Sequence, residues 1–138
     1  MGSISRSVHV RLFIAALLTL MVSSSAWGAS PNISFSSAKK IWEASKGRSD
    51  YQTYADEFAQ FNNYYHLDEK DGCYALGSEP VELMLIITHH GNGQYATIEK
   101  VLSNVDSPKA RCFRKSYEGL GTKIPPFFPF VFQMTMGG

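Results

Sequence analysis

VELMLIITHHGNGQYATIEKVL, Val81 to Leu102, is the stretch that decides the fold. Its first part, VELMLIITHH, is rich in aliphatic residues and framed by Pro80 and Gly91, a strand by composition. In an extended chain Val81, Leu83, Leu85 and Ile87 face one way, while Met84 and Ile86 keep the other face apolar too. A strand apolar on both faces belongs in the middle of a sheet. HGNG, His90 to Gly93, is a tight-turn signal, because Gly and Asn tolerate positive φ. QYATIEKVL, Gln94 to Leu102, then returns as the second arm of a hairpin.

Working downstream, SNVDSPKARCFRKSYEGL carries helix punctuation: Ser107 as N-cap, Pro108 at the first helical position and Gly119 as the stop. Ala110, Phe113 and Tyr117 form its buried stripe, with Cys112 beside them. Lys109, Arg111, Arg114 and Lys115 make a basic patch, read as a solvated helix face or as a seat for an anionic partner. In KIPPFFPFVFQMTMGG, Pro125 and Pro126 can neither continue a helix nor donate ladder hydrogen bonds, so they form a rigid lead-in to a strand. Phe130, Phe132, Met134 and Met136 alternate with Val131, Gln133 and Thr135, which is period two. The aromatic half should face the helices, leaving Gln133 and Thr135 for solvent or a partner.

Upstream, the stretch from Ser36 to Tyr65 reads as helix broken once at KGRSD, Lys46 to Asp50. Ser36 or Ser37 is the expected N-cap of the first half. Tyr51, Tyr54, Phe58, Phe61 and Tyr65 follow at steps of three and four, an aromatic stripe suited to packing on a sheet. The order helix, strand, turn, strand, helix, strand predicts one α+β domain: a small antiparallel three-stranded sheet with helices packed on one face.

Residues 1–28 read as a secretory signal peptide, leaving a single domain over 29–138. Arg6 and Arg11 precede the apolar run LFIAALLTLMV, Leu12 to Val22, and Ala26 and Gly28 suit the cleavage site, with a cut after Ala26 as the competing choice. The run is shorter than the roughly 20 residues that cross a bilayer, so an uncleaved anchor is the weaker reading. The signal contains no cysteine, which excludes a lipid-anchored lipoprotein. Its removal takes Lys+Arg from 13 to 11 against 12 Asp+Glu, and the net charge from +1 to −1. A near-neutral export product offers no electrostatic case for nucleic acid. Membrane contact is expected only if the leader is retained.

Cys73 and Cys112 are the chain's two cysteines, and in an oxidising compartment they are most simply a disulfide. No C-x-x-C redox pair occurs. His89-His90 is a tempting pair, but neighbouring strand residues point to opposite faces and no metal-ligand set presents itself. Glu82 and Glu99, on neighbouring strands, are candidates for an acid–base pair or for an exposed sheet-face pair. G-x-S-x-G, a glycine-rich phosphate loop and C-x-x-C-H are all absent, so no catalytic residue, metal or cofactor is expected.

With these elements in place, the chain from Cys73 to Met136 resembles the TonB C-terminal-like domains, in the two-cysteine variety of gliding- and adventurous-motility proteins. The likeness is carried by Cys73 before the first strand, VELMLIITHHGNG, Cys112 within ARCFRKSYEG, and IPPFFPFVFQMTM. It implies a non-catalytic periplasmic module that binds another envelope protein, by adding a strand at a sheet edge. The long proline-rich spacer of an energy transducer is absent, so energy transduction is not expected. The leading expectation is therefore a periplasmic or secreted interaction module, using a sheet edge or the basic helix. The alternatives are a small exported enzyme or enzyme inhibitor using His89, His90, Glu82 or Glu99, and a sugar- or lipid-binding domain using the aromatic helix Tyr51 to Phe61.

Overall fold

The computed structural model describes residues 32–66 and 72–137, without the side chains of 62–66. The predicted leader, the linker residues 67–71 and the Tyr65 ring lie outside the described residues. The described elements are α1 (Phe35–Ser45), α2 (Ser49–His66), a single 3₁₀ turn (Tyr74–Leu76), β1 (Val81–His89), β2 (Ala96–Ser103), α3 (Pro108–Tyr117), β3 (Gly121–Thr122) and β4 (Phe130–Met136). The strand order is β3-β2-β1-β4, antiparallel throughout, so β1 lies inside the sheet as its two apolar faces demand.

The sheet has four strands rather than the expected three. After α3, Gly119 takes φ +85° and its N–H donates to the Ile98 carbonyl at 2.7 Å; Ile98 N–H in turn donates to Leu120. The chain is thereby laid along β2 for Gly121–Thr122. A two-residue strand carries no periodic signal, which is why the sequence hides it. The hairpin connection is also longer than a tight turn. Residues 90–95 form the loop, closed by His90 N–H to Tyr95 O at 3.1 Å, and β2 begins at Ala96 rather than Gln94.

Helices cover both faces of the sheet, not one. Val81, Leu83, Leu85 and Ile87 join Phe130, Phe132 and the α2 and α3 side chains in the main core. On the reverse face Met84, Ile86 and Val131 pack on Ala38 of α1, with Ile41 and Trp42 alongside. Lys39 of α1 closes that layer on Glu82 of β1 at 3.0 Å. The N-cap of α1 is Ser34, neither Ser36 nor Ser37: its extended backbone lets its hydroxyl accept from Ser37 N–H at 3.2 Å. In α3 the expected caps hold, with Ser107 accepting from Ala110 N–H at 3.1 Å and Pro108 in the first turn.

Perfect alternation along β2 would put Val101 on the wrong face. A bulge pairs Ile87 with Ile98 and Ile86 with Lys100, making Glu99 the inserted residue. Ala96, Ile98 and Val101 consequently all reach the main core.

Chain parity also shows how the β4 edge is treated. Asn104 N–H donates to the Glu82 carbonyl, so Glu82, Met84 and Ile86 turn their backbone groups toward β2. Their neighbours therefore bond Phe130, Phe132, Met134 and Met136, and Val131, Gln133 and Thr135 turn outward. The Tyr51 phenol donates to the Val131 carbonyl at 3.1 Å, and the Gln133 backbone and Trp42 indole also reach its oxygen. The middle of that edge is thus closed by a side chain from α2.

Tyr51 and Tyr117 are both buried, and desolvation pushes each phenol up to about 12. Because these values lie above the unfolded value near 10, the associated stability is complete below pH ~10 and disappears as pH rises toward ~12. Ultraviolet titration should show phenolate absorbance from these two rings only together with loss of the near-ultraviolet circular dichroism. Tyr51→Phe should remove one of the two titrations and cost about 1–3 kcal/mol, by orphaning the Val131 and Gln133 backbone groups. Ionisation of both rings at pH ~10 in the folded state would contradict this account.

Candidate functional site

The disulfide is present: Cys73 and Cys112 lie with Cα atoms 5.4 Å apart and sulfurs bonded. It fixes the 3₁₀ turn on α3, where Tyr74 meets Phe113 edge-on at 4.9 Å between ring centres. A disulfide of this kind forms in an oxidising, non-cytoplasmic compartment. Among the described residues no helix is long and apolar enough to cross a membrane.

The predicted basic patch is divided in the structure. Lys109 is only 2% exposed; its ammonium donates to the Glu79 carbonyl at 2.7 Å and lies 5.9 Å from the centre of the Tyr74 ring. Gly137, with φ +74°, lies beside that ammonium; its backbone favours glycine, and a Cβ there would also have to displace the lysine tip, 2.6 Å away. Lys109 therefore leaves the surface patch and acts as a tie between α3, the 3₁₀ segment and the end of β4. Its spacing gave the signal: Lys109, Phe113 and Tyr117 stand at i, i+4 and i+8 on one helix face. Arg111 and Arg114 converge on Asp106 at 3.3 and 3.0 Å, and Arg114 also donates to Ser103 Oγ at 2.8 Å. Arg114 first and Arg111 second hold the Asp106 carboxyl below its ordinary value. Lys115 stays exposed on this face.

The other candidates are scattered. Gln133 is half-buried on the α1 side and donates to Thr135 Oγ1 at 3.1 Å. His89 stacks on Phe128 at 3.8 Å and His90 on Tyr95 at 4.3 Å, each imidazole engaged with a different ring. Glu82 bonds Lys39, while Glu99 sits at the bulge opposite Ile86/Ile87, more than four residues or roughly 14 Å along the strand. These carboxylates do not meet. Among the described residues no group of three or more His, Cys, Asp or Glu side chains could hold a metal ion.

What the structure does assemble is a groove between α2 and the chain that follows β3. Its deep part is a slot of about 110 Å³ lined by Tyr54, Glu57, Phe58, Phe61, Thr122 and Lys123. The four α2 residues stand at i, i+3, i+4 and i+7, one face of the helix. Tyr54 and Phe58 are buried because they also pack on β4: Tyr54 meets Phe130 edge-on at 4.7 Å and Phe58 meets Phe132 at 4.6 Å. Phe61, one turn further, is 50% exposed. The Tyr54 phenol donates to the Lys123 carbonyl at 2.7 Å and lies 3.1 Å from Thr122 Oγ1, fixing the facing wall; burial raises its pKa. Glu57 and Lys123 bridge the two walls at 2.9 Å, both well exposed.

A shallow shelf of about 390 Å³ continues the slot toward the start of α2, with Asp50, Thr53, Ile124 and Pro126 added to Tyr54 and Glu57. Ile124 is 40% exposed. Arg48 pairs with Asp50 at 2.7 Å and stands 3.9 Å over the Phe127 ring, which holds this end of the shelf. Sequence reasoning found the helical wall of this groove as an aromatic stripe but not the facing wall. KIPP reads as a rigid lead-in, and only the short β3 strand brings it beside α2. No family model matches this chain, and no curated protein or solved structure shows significant similarity to it.

Proposed function

We propose that the protein is an exported, periplasmic or secreted interaction module that binds another envelope protein through the groove between α2 and the 122–126 segment, without chemistry of its own. The slot carries this reading. At about 110 Å³ the slot itself is smaller than the roughly 150 Å³ that holds a benzene molecule, and the shelf of about 390 Å³ that continues it is shallow and open rather than enclosing. The slot suits one side chain of a partner, with half-exposed Phe61 and Ile124 positioned to shield that contact from water. A sugar or lipid platform on the aromatic helix would need several rings of the Tyr51 to Phe61 stripe at the surface; Tyr51, Tyr54 and Phe58 are buried, and Phe61 is half-exposed.

Strand addition, which the TonB-type resemblance implies, finds less support. One sheet edge is closed at its centre by Tyr51, and the other is interrupted by the two-residue β3 and the bulge at Glu99. The proposed role accordingly rests on the groove and not on membership in the TonB C-terminal-like group. A photo-crosslinking amino acid in place of Phe61 should capture a discrete envelope protein in living cells. The same group in place of Lys40, on the exposed side of α1, should not. Identical or absent crosslinking at the two positions would count against the groove.

A further inference from the structure

We infer that Asn92, at the tip of the β1–β2 hairpin, is a self-modifying site: whenever the tip opens, its side-chain amide cyclises onto the Gly93 nitrogen, and the main product keeps the tip from closing again. This stands apart from the groove and from the interaction role proposed above. Of the chain's five asparagines only Asn92 is followed by glycine. The reaction uses the next residue's peptide nitrogen as nucleophile, and a side chain there crowds the approach. Ile33 and Val105, after Asn32 and Asn104, are β-branched, whereas Gly93 has no Cβ. Residues 90–95 are all exposed, so solvent reaches this nitrogen whenever its proton is free.

The closed tip withholds that nucleophile. Gly93 N–H donates to the His90 carbonyl at 2.8 Å, and His90 N–H to Tyr95 O at 3.1 Å. Asn92 Oδ1 accepts from Gln94 N–H at 3.2 Å, an Asx turn that carries the side-chain carbonyl forward along the chain, past Gly93. The His90 imidazole, stacked on Tyr95 at 4.3 Å and 3.3 Å from Thr97 Oγ1, anchors the loop to β2. Loop contacts exposed in this way open at little cost. Once the Gly93 bond breaks, its nitrogen gives its proton to solvent and bonds to Asn92 Cγ. The Cγ–Nδ2 bond breaks, and ammonia leaves with a proton taken from solvent. Water then opens the succinimide ring, at Cγ to give aspartate or at the backbone carbonyl to give isoaspartate, the main product. Nothing is oxidised or reduced; amide plus water becomes carboxylate plus ammonium. Isoaspartate runs the main chain through Cβ and Cγ, one carbon longer between His90 and Gly93, so the turn bond between them cannot re-form as it was.

The test incubates the folded, oxidised protein and a blocked peptide of residues 89–95 in the same mildly alkaline buffer. Mass spectrometry of the digested chain follows replacement of the Asn92 amide by a carboxyl, and an isoaspartyl methyltransferase counts the rearranged product. Asn92 should be modified before Asn32 and Asn104, and about threefold or more slower in the protein than in the peptide, the factor one exposed hydrogen bond supplies. Tyr95→Ala, which removes the ring stacked on His90, should bring the protein's rate to within about twofold of the peptide's. Thr97→Val, which removes only the hydroxyl beside the imidazole, should accelerate it by less. Hydrogen exchange of the Gly93 amide should quicken in step with modification in each variant, and stay fast in the isoaspartyl product. The assignment is overturned by equal rates in protein and peptide, by unchanged rates in both variants, or by Asn104 being modified first. A Gly93 amide as protected in the isoaspartyl product as before overturns it equally.

Discussion

Phe130→Ala should remove about 3–5 kcal/mol of folding stability, the largest loss expected from a single substitution in this chain. Phe130 is fully buried opposite Ile87, and three rings meet it: Tyr51 stacked at 4.8 Å, Tyr54 edge-on at 4.7 Å and Phe127 at 5.2 Å. Two of these belong to α2 and one to the segment leading into β4, so this ring is where helix, sheet and groove wall are joined. Truncation removes the buried area and leaves a cavity that three rigid neighbours cannot collapse. Urea denaturation should show a lower midpoint with an unchanged slope, because the area exposed on unfolding hardly changes. Phe130→Leu, which keeps most of the volume, should cost much less. Because Phe130 also sets the Tyr54 ring, the alanine variant should loosen the slot, seen as faster exchange of the Thr122 and Lys123 amides. A loss under about 1 kcal/mol would show that α2 is held elsewhere.

The residues at this junction explain which parts of the structure the sequence discloses. Phe130 and Phe132 alternate with Val131 over a run long enough to define a strand face, and Tyr51, Tyr54 and Phe58 repeat at helical spacing. Each pattern is local, and the structure keeps both. Partnership across the chain is not local. Nothing in SFSSAKKIWEAS announces that α1 lies behind the sheet; only the second apolar face of β1, Met84 and Ile86, required something to cover it. Lys109 shows the same limit from the other side. A lysine beside arginines looks solvated until its position on the Phe113–Tyr117 face is weighed, and its ammonium is then found on a backbone carbonyl 30 residues earlier in the chain. The groove was half legible for this reason: α2 supplies a periodic wall, whereas Thr122, Lys123 and Ile124 reach it through a two-residue strand with no period to read.

Replacing Cys73 and Cys112 together by alanine should cost about 3–4 kcal/mol, nearly as much as losing Phe130, although few core atoms are removed. The bridge joins residues 39 apart, and its main effect is to restrict the unfolded chain, a contribution that grows with the logarithm of the loop. Few other ties hold the 3₁₀ segment to α3: Tyr74 on Phe113, and Lys109 on the Glu79 carbonyl. Neither is independent of the bridge. If the segment swings away, the Lys109 ammonium loses its acceptor while its stem stays among apolar neighbours, a costly arrangement for a charge. Domains of this size have total stabilities of roughly 5–15 kcal/mol, so the reduced chain would be close to marginal. Thermal unfolding with and without a dithiol reductant should therefore differ by about 15–25 °C. Limited proteolysis of the reduced form should cut first between Gly72 and Pro80. In a reducing compartment the chain would keep its sheet but lose the segment that buries Lys109, which ties the fold to an oxidising one. Equal midpoints for oxidised and reduced protein would mean that the aromatic and lysine contacts hold this segment unaided, and the link between fold and compartment would be lost.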